Sequence, residues 1–195
     1  AKKHIEVAIE KAPDQAVFHS NYASLLHSMG EHQLAVNSIK KSLKLDKKLF
    51  QSYYSLGIIY TDMNEHDKAV ESYIKALEIN NESSEAHNNL ANLFSYLNNP
   101  EAEYHYKKTI ELNSNEIYPR LNMSNYLIKN NKFEESLKHL QEILDMGLES
   151  KEVYNSLGVS YKGLNDDNNA SKMFKKSLQI DPDFSLARKN LDSLD

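Results

Sequence analysis

The stretch that decides the fold occurs twice, first as SYYSLGIIYTDMNEHDKAVESYIKALEIN (52–80) and again as EVYNSLGVSYKGLNDDNNASKMFKKSLQID (152–181). Small, aromatic and apolar residues recur at matching places, so that Gly57 in the first copy corresponds to Gly158 in the second. The offset between the copies is 101 residues, which is one residue less than three periods of 34. A fixed period of this length indicates an array of structural repeats.

The same template extends over the whole chain. A turn at 98–100 that is one residue shorter than its counterparts accounts for the missing residue of the offset. We therefore predict a single array over 1–195. Its predicted parts are a half repeat at 1–15, repeats at 16–49, 50–83, 84–116, 117–150 and 151–184, and a partial capping helix at 185–195.

Each repeat carries two apolar stripes with the spacing of a helix. In repeat 50–83 the first stripe includes Tyr53, Leu56 and Tyr60, which recur at the three- and four-residue intervals that place side chains on one helical face. A short polar break separates the two stripes, which predicts a pair of antiparallel helices. In repeat 84–116, Pro100 is expected at the first position of the second helix, with Asn99 as its N-cap.

Small residues stand at one core position in every predicted helix of the five repeats. A small side chain lets two helices approach closely, so we expect all of these residues to be buried between the helices of a pair. They are Ala23, Gly57, Ala91, Ser124 and Gly158 in the first helices, and Ala35, Ala69, Ala102, Ser136 and Ala170 in the second.

This pattern resembles the tetratricopeptide repeat, and the resemblance covers nearly the whole chain. The shared features are the 34-residue period, an early Tyr-x-x-Leu-Gly-x-x-Tyr, a central Ala with an aromatic residue four positions later, and a closing Asp-Pro. The resemblance implies an all-α fold, a right-handed superhelical solenoid of antiparallel helix pairs. It also implies that the first helices line the concave surface of the array.

Composition argues against several classes of function. The net charge of −5 does not favour nucleic acid as a partner, and the absence of cysteine excludes disulfides and thiolate chemistry. The sequence contains no phosphate-binding glycine loop, no GxSxG and no HExxH, and its eight histidines are not paired at four-residue spacing. We therefore expect a protein that is not an enzyme, without cofactor or metal.

No apolar run approaches the length that a membrane span or a signal peptide needs. This predicts a cytoplasmic protein without a membrane partner. The chain also starts without Met, and it is expected to be a segment of a longer protein.

The candidate site is a row of asparagines on the face of the first helices opposite their core stripes. Asparagine is disfavoured inside helices, so its recurrence there favours a function, and its amide matches the N–H and C=O groups of a peptide backbone. The alternative is compositional, because the chain contains 21 asparagines, many of them in turns. The candidate peptide-binding residues are Asn21, Asn88, Asn89, Asn92, Asn122, Asn125, Asn155 and Asn190.

This row resembles the inner asparagine ladder in the repeat domain of O-linked N-acetylglucosamine transferase and its bacterial relatives. That resemblance implies a grip on the backbone of a bound peptide. Ser55 and Ser156 interrupt the row here.

We therefore predict a non-catalytic protein–protein interaction scaffold that binds an extended peptide segment in a concave groove. Two alternatives remain open from the sequence. The chain could be the substrate-docking segment of a larger enzyme, of glycosyltransferase, sulfotransferase or oxygenase type. It could instead be a homo-oligomeric assembly module that associates through its terminal helices, 1–12 and 185–195.

Overall fold

A computed structural model describes residues 2–194, and within these residues it contains twelve α-helices and no strand. The all-α fold class is thus confirmed. The chain divides into two compact units, an N-terminal unit that ends at Leu112 and a C-terminal unit that begins at Asn113.

The N-terminal unit contains seven helices. They are α1 (Lys2–Lys11), α2 (Ala16–Ser28), α3 (His32–Leu45), α4 (Phe50–Asp62), α5 (His66–Ile79), α6 (Ser84–Tyr96) and α7 (Ala102–Leu112). The C-terminal unit contains five. They are α8 (Ile117–Lys129), α9 (Phe133–Asp145), α10 (Lys151–Gly163), α11 (Asp167–Ile180) and α12 (Ser185–Asp192).

The predicted small residues are buried where the helices of a pair meet, as expected. Gly57 on α4 faces the ring of Tyr73 on α5, and a Cβ added to this glycine would lie 2.4 Å from Tyr73 Cε1. Gly158 on α10 faces Phe174 on α11 in the same way, again at 2.4 Å. In both units the glycine therefore creates the space that a large aromatic ring of the second helix fills.

In each helix pair, the turn between the two helices contains one residue with a positive φ, and the first helix ends at this turn. The five residues are Gly30, Asn64, Asn98, Asn131 and Asn165. The N–H of the following residue then reaches back to the last turn of the first helix, as Glu65 N does to Tyr60 O at 2.8 Å. This is the hydrogen bond of a Schellman motif, which gives partners to carbonyls that a helix end leaves without one.

The second helix of repeat 84–116 begins at Ala102, two residues after the predicted start at Pro100. Asn98 has φ +56, and Pro100 and Glu101 still belong to the turn. Asn99 does contribute a cap-like contact, because its Oδ1 accepts a hydrogen bond of 3.0 Å from the N–H of Glu101.

First helices contact one another in succession within each unit. In the N-terminal unit α4 contacts both α2 and α6, and in the C-terminal unit α10 contacts both α8 and α12. These helices therefore form one layer in each unit, and the side of the layer that carries the asparagine row is called the first-helix face below. The division of 1–195 into one array with the boundaries given above stays a prediction.

Among the helices of residues 2–194, none has both the length and the apolar character that crossing a bilayer requires.

Candidate functional site

The first-helix face of the N-terminal unit carries four of the predicted asparagines. Asn21 on α2 and Asn92 on α6 are exposed, whereas Asn88 and Asn89 on α6 are half-buried. Asn89 and Asn92 lie three residues apart on one helix and are therefore neighbours on its surface. Asn21 lies on α2, which is separated from α6 by one other first helix, α4. The side chain of Asn21 makes no hydrogen bond within residues 2–194.

Tyrosine hydroxyls hold the amides of Asn89 and Asn92. Asn89 Nδ2 donates to the hydroxyl of Tyr54 on α4 at 3.0 Å, and Asn92 Oδ1 accepts from the hydroxyl of Tyr106 on α7 at 2.8 Å. Asn89 Oδ1 and Asn92 Nδ2 have no hydrogen-bond partner within residues 2–194. The pair therefore presents one open acceptor and one open donor, each on an amide whose other end is fixed.

The C-terminal unit repeats this arrangement with different partners. Asn125 Oδ1 on α8 accepts from Ser156 Oγ on α10 at 2.9 Å, and Asn190 Nδ2 on α12 donates to Asn155 Oδ1 on α10 at 2.9 Å. The Nδ2 atoms of Asn125 and Asn155 and Oδ1 of Asn190 have no partner among the described residues. Asn122 on α8 is half-buried.

Neighbouring first helices are joined by side-chain hydrogen bonds at nearly one repeat length. The bond between Tyr54 and Asn89 spans 35 residues of sequence, and the bond between Asn155 and Asn190 spans the same number. His27 on α2 makes a third bond of this span, at 2.7 Å from Nε2 to Asp62 Oδ2 on α4. Part of the hydrogen-bonding capacity of Asn89, Asn155 and Asn190 therefore joins first helices, a role that the sequence prediction did not include.

A groove of about 510 Å³ opens on this face between α4, α5 and α6. Below it is called the α4–α6 groove. Its lining residues are Ile58, Thr61, Asp62, Asn64, His66, Tyr73, Asn89, Asn92, Leu93 and Tyr96. Asn89 and Asn92 thus lie beside an apolar depression, which sequence reasoning missed.

Two tyrosines beside this groove stay neutral near pH 7. Burial raises the pKa of Tyr73 to about 12. Burial also raises the pKa of Tyr54, and the nearby Glu85 carboxylate adds to that rise. Both phenols are therefore neutral groups, and the ring of Tyr73 forms part of the groove wall.

The described residues contain no group of three or more histidine and carboxylate side chains placed to hold a metal ion. His87 on α6 and His105 on α7 form the closest histidine pair, with their Nδ1 atoms 2.8 Å apart. Both are buried, and they lie between the helices of one pair rather than on the first-helix face.

Comparison with curated protein sequences gives no match. Solved structures match over almost the full chain. The crystal structure of YrrB, described as a TPR protein with an unusual peptide-binding site, is 25% identical, with a TM-score of 0.83 over 97% of this chain and 98% of that one.

Two further structures show the shared fold. MamA is 20% identical, with a TM-score of 0.79 over 89% of this chain and 95% of its own. PilF of Pseudomonas aeruginosa is 18% identical, with a TM-score of 0.81 over 97% of this chain and 86% of its own.

Family models of the tetratricopeptide repeat match residues 16–49, 50–83 and 151–184. These three matches together cover more than half of the 195 residues. The helix pairs, the small residues at their crossings and the structural neighbours agree with that assignment. The chain therefore belongs to the tetratricopeptide repeat family.

Proposed function

We propose that this chain is a non-catalytic interaction scaffold that binds an extended segment of a protein partner on its first-helix face. Tetratricopeptide repeats are in general protein-interaction modules, and the similar protein YrrB is described as having a peptide-binding site. A cytoplasmic location, the substrate-docking role in a larger enzyme and self-association through the terminal helices stay predictions.

The observation that carries the proposal is the half-engaged state of the amides. A hydrogen bond to Tyr54 fixes Asn89, and one from Tyr106 fixes Asn92, while the opposite end of each amide is open. An open acceptor and an open donor suit the N–H and C=O of a peptide backbone. Because the amides are already oriented, less conformational entropy is lost when a peptide binds.

The proposed site comprises all eight predicted asparagines, treated separately in the two units. Asn89 and Asn92 are its strongest part, since they adjoin the α4–α6 groove. Asn125, Asn155 and Asn190 offer the same half-engaged geometry in the C-terminal unit. Asn21, Asn88 and Asn122 are included on the basis of their positions in the row.

A selection experiment tests this proposal. A phage-displayed library of random 12-residue peptides is selected on the immobilised protein, and the enriched peptides are measured by fluorescence polarisation. We expect Asn89→Ala and Asn92→Ala each to weaken binding by about three- to tenfold, since each removes one backbone hydrogen bond.

The matched control is Tyr54→Phe, which breaks the same bond between helices as Asn89→Ala but keeps the asparagine amide. Urea denaturation should show similar stability for the two variants, while Asn89→Ala should lose more affinity than Tyr54→Phe, which gives up only the orientation of the amide. Equal affinity in Asn89→Ala and Tyr54→Phe would mean that the amide serves packing alone. Failure to enrich any peptide on the wild-type protein would also refute the proposal.

A further inference from the structure

The α4–α6 groove has features that backbone binding does not use. Ile58 and Leu93 provide aliphatic walls, and the rings of Tyr73 and Tyr96 provide aromatic ones. The side chain of Tyr96 is large and 67% exposed. Its ring centroid lies 5.2 Å from that of His66, so this contact partly fixes the position of the exposed ring.

The groove adjoins the two oriented amides. Asn89 and Asn92 line it together with the apolar walls. In an extended peptide, successive side chains point to opposite sides. A backbone held by these two amides therefore directs alternate side chains toward the protein, where the groove offers space for a large one.

On the first helices of the N-terminal unit the Asp, Glu, Lys and Arg side chains have one sign, whereas α5, which also borders the groove, carries both signs. The sequences of α2, α4 and α6 contain no Lys or Arg, whereas they contain Asp62 and Glu85. Asp62 lines the groove, and its side chain is 52% exposed. Its Oδ2 is bonded to His27 Nε2, while Oδ1 has no partner within residues 2–194.

We propose that the α4–α6 groove binds a large apolar side chain of the peptide and that Asp62 pairs with a Lys or Arg close to it. This inference rests on the proposed function and specifies its substrate class, an extended segment with an apolar anchor and an adjacent cation. Burial of the anchor against Ile58, Leu93 and Tyr96 supplies affinity. The acidic face, which lacks cationic side chains on its three helices, selects against acidic peptides.

The peptides from the selection described above test the anchor. In a peptide that contains the proposed motif, replacing the large apolar residue by Ser should weaken binding at least about tenfold, because burial of such a side chain is lost. Tyr96→Ala should weaken binding of the parent peptide and leave the Ser-substituted peptide unchanged. The control is Tyr104→Ala, another exposed tyrosine, on the second helix α7.

The charge is tested with one substitution on each side of the interface. Replacing the peptide cation by Glu should weaken binding to the wild-type protein by about three- to fivefold, as expected for an exposed ion pair. Asp62→Asn should remove most of this discrimination, whereas Glu78→Gln on α5 should retain it. High salt should reduce the discrimination in the wild-type protein.

The outcomes separate this inference from the proposal on which it rests. If selected peptides need Asn89 and Asn92 but show no preference for an apolar residue or a cation, backbone binding stands and this inference is overturned. If Tyr96→Ala does not reduce the apolar preference, or Asp62→Asn does not reduce the charge preference, the assigned groove is wrong. If no peptide is enriched, both proposals fail.

Discussion

Glycine and aromatic residues form size-matched pairs at the centre of two helix hairpins. Gly158 lacks a Cβ where the fully buried ring of Phe174 lies, and Gly57 has the same relation to Tyr73. Glycine is a poor helix former, so its presence inside α4 and α10 needs a reason. The close ring contact supplies that reason, since even one methyl group would overlap with the ring.

We predict that Gly158→Ala destabilises the protein by roughly 1–2 kcal/mol, although alanine favours helix formation. Overpacking against Phe174 should exceed the gain in helix propensity. The measurement is the urea dependence of circular dichroism, with the exposed Lys172→Ala on α11 as the control. Gly158→Ala combined with Phe174→Leu should recover part of the loss, and an unchanged midpoint in the single variant would contradict the packing.

At the scale of elements, four of the five turns within helix pairs use asparagine where the fifth uses glycine. These residues adopt φ values between +56 and +60, a region that asparagine tolerates better than most residues with a side chain. The asparagines of this chain therefore have two structural roles that depend on position. Those at the positive-φ positions give the turn its backbone conformation, and several on the first-helix face form amide hydrogen bonds between helices.

Asn165, with φ +60 in the turn between α10 and α11, allows a test of this role. We expect Asn165→Ala to lower stability by roughly 1 kcal/mol, because an alanine Cβ is strained in the left-handed region. Asn165→Gly should be neutral or slightly stabilising at the same site. Thermal melts of the two variants measure the difference, and the opposite order would refute the assigned turn.

The hairpin of α6 and α7 contains the buried pair of His87 and His105. His87 Nε2 lies 3.1 Å from the carbonyl oxygen of Asn81, so this nitrogen donates and Nδ1 of neutral His87 accepts from His105 Nδ1. Burial, and then the neighbouring His87, lower the pKa of His105 from 6.5 to about 4. Burial also lowers the pKa of His87, and Lys108 contributes to that effect.

The free energy of unfolding should therefore decrease as the pH is lowered through the acid range. The unfolded chain takes up a proton near pH 6.5 and the folded chain only near pH 4, so the contribution of His105 is full above about 6.5 and is lost as the pH falls to about 4. His105→Gln keeps a donor for His87 but cannot titrate, and its unfolding midpoint should decline less over this range. If the unfolding midpoints of the wild-type protein and of His105→Gln depend on pH in the same way, the prediction is contradicted.

At the scale of the whole molecule, the two compact units differ in the number of stacked hairpins. The N-terminal unit contains three hairpins and α1, whereas the C-terminal unit contains two and α12. Each unit has its own apolar cluster, which includes Ile39 and Ile59 in the first and Leu140 and Leu157 in the second. Repeat proteins gain stability from each stacked neighbour, so the unit with more hairpins should be the more stable.

Expression of residues 1–112 and 113–195 as separate fragments tests this expectation. Both should be helical by circular dichroism, and the first should unfold at the higher urea concentration. A fragment of the second unit with an equal or higher midpoint would show that hairpin number does not govern stability here. The full chain, measured beside them, provides the reference.

The sequence by itself determined the helix pairs, the small residues at their crossings and the positions of the asparagine row. These features follow from spacings of three and four residues and from a 34-residue period, which are properties of one helix or of one repeat. The tertiary structure alone decided which end of the Asn89 amide stays open, because Tyr54 and Asn89 meet only after α4 packs beside α6. Packing between helices also produced three other features, which are the groove beside Tyr96, the bond from His27 to Asp62 and the pair of His87 and His105. Each of them joins residues from different helices, and their distance depends on the offset between packed helices, which no periodicity within a helix encodes.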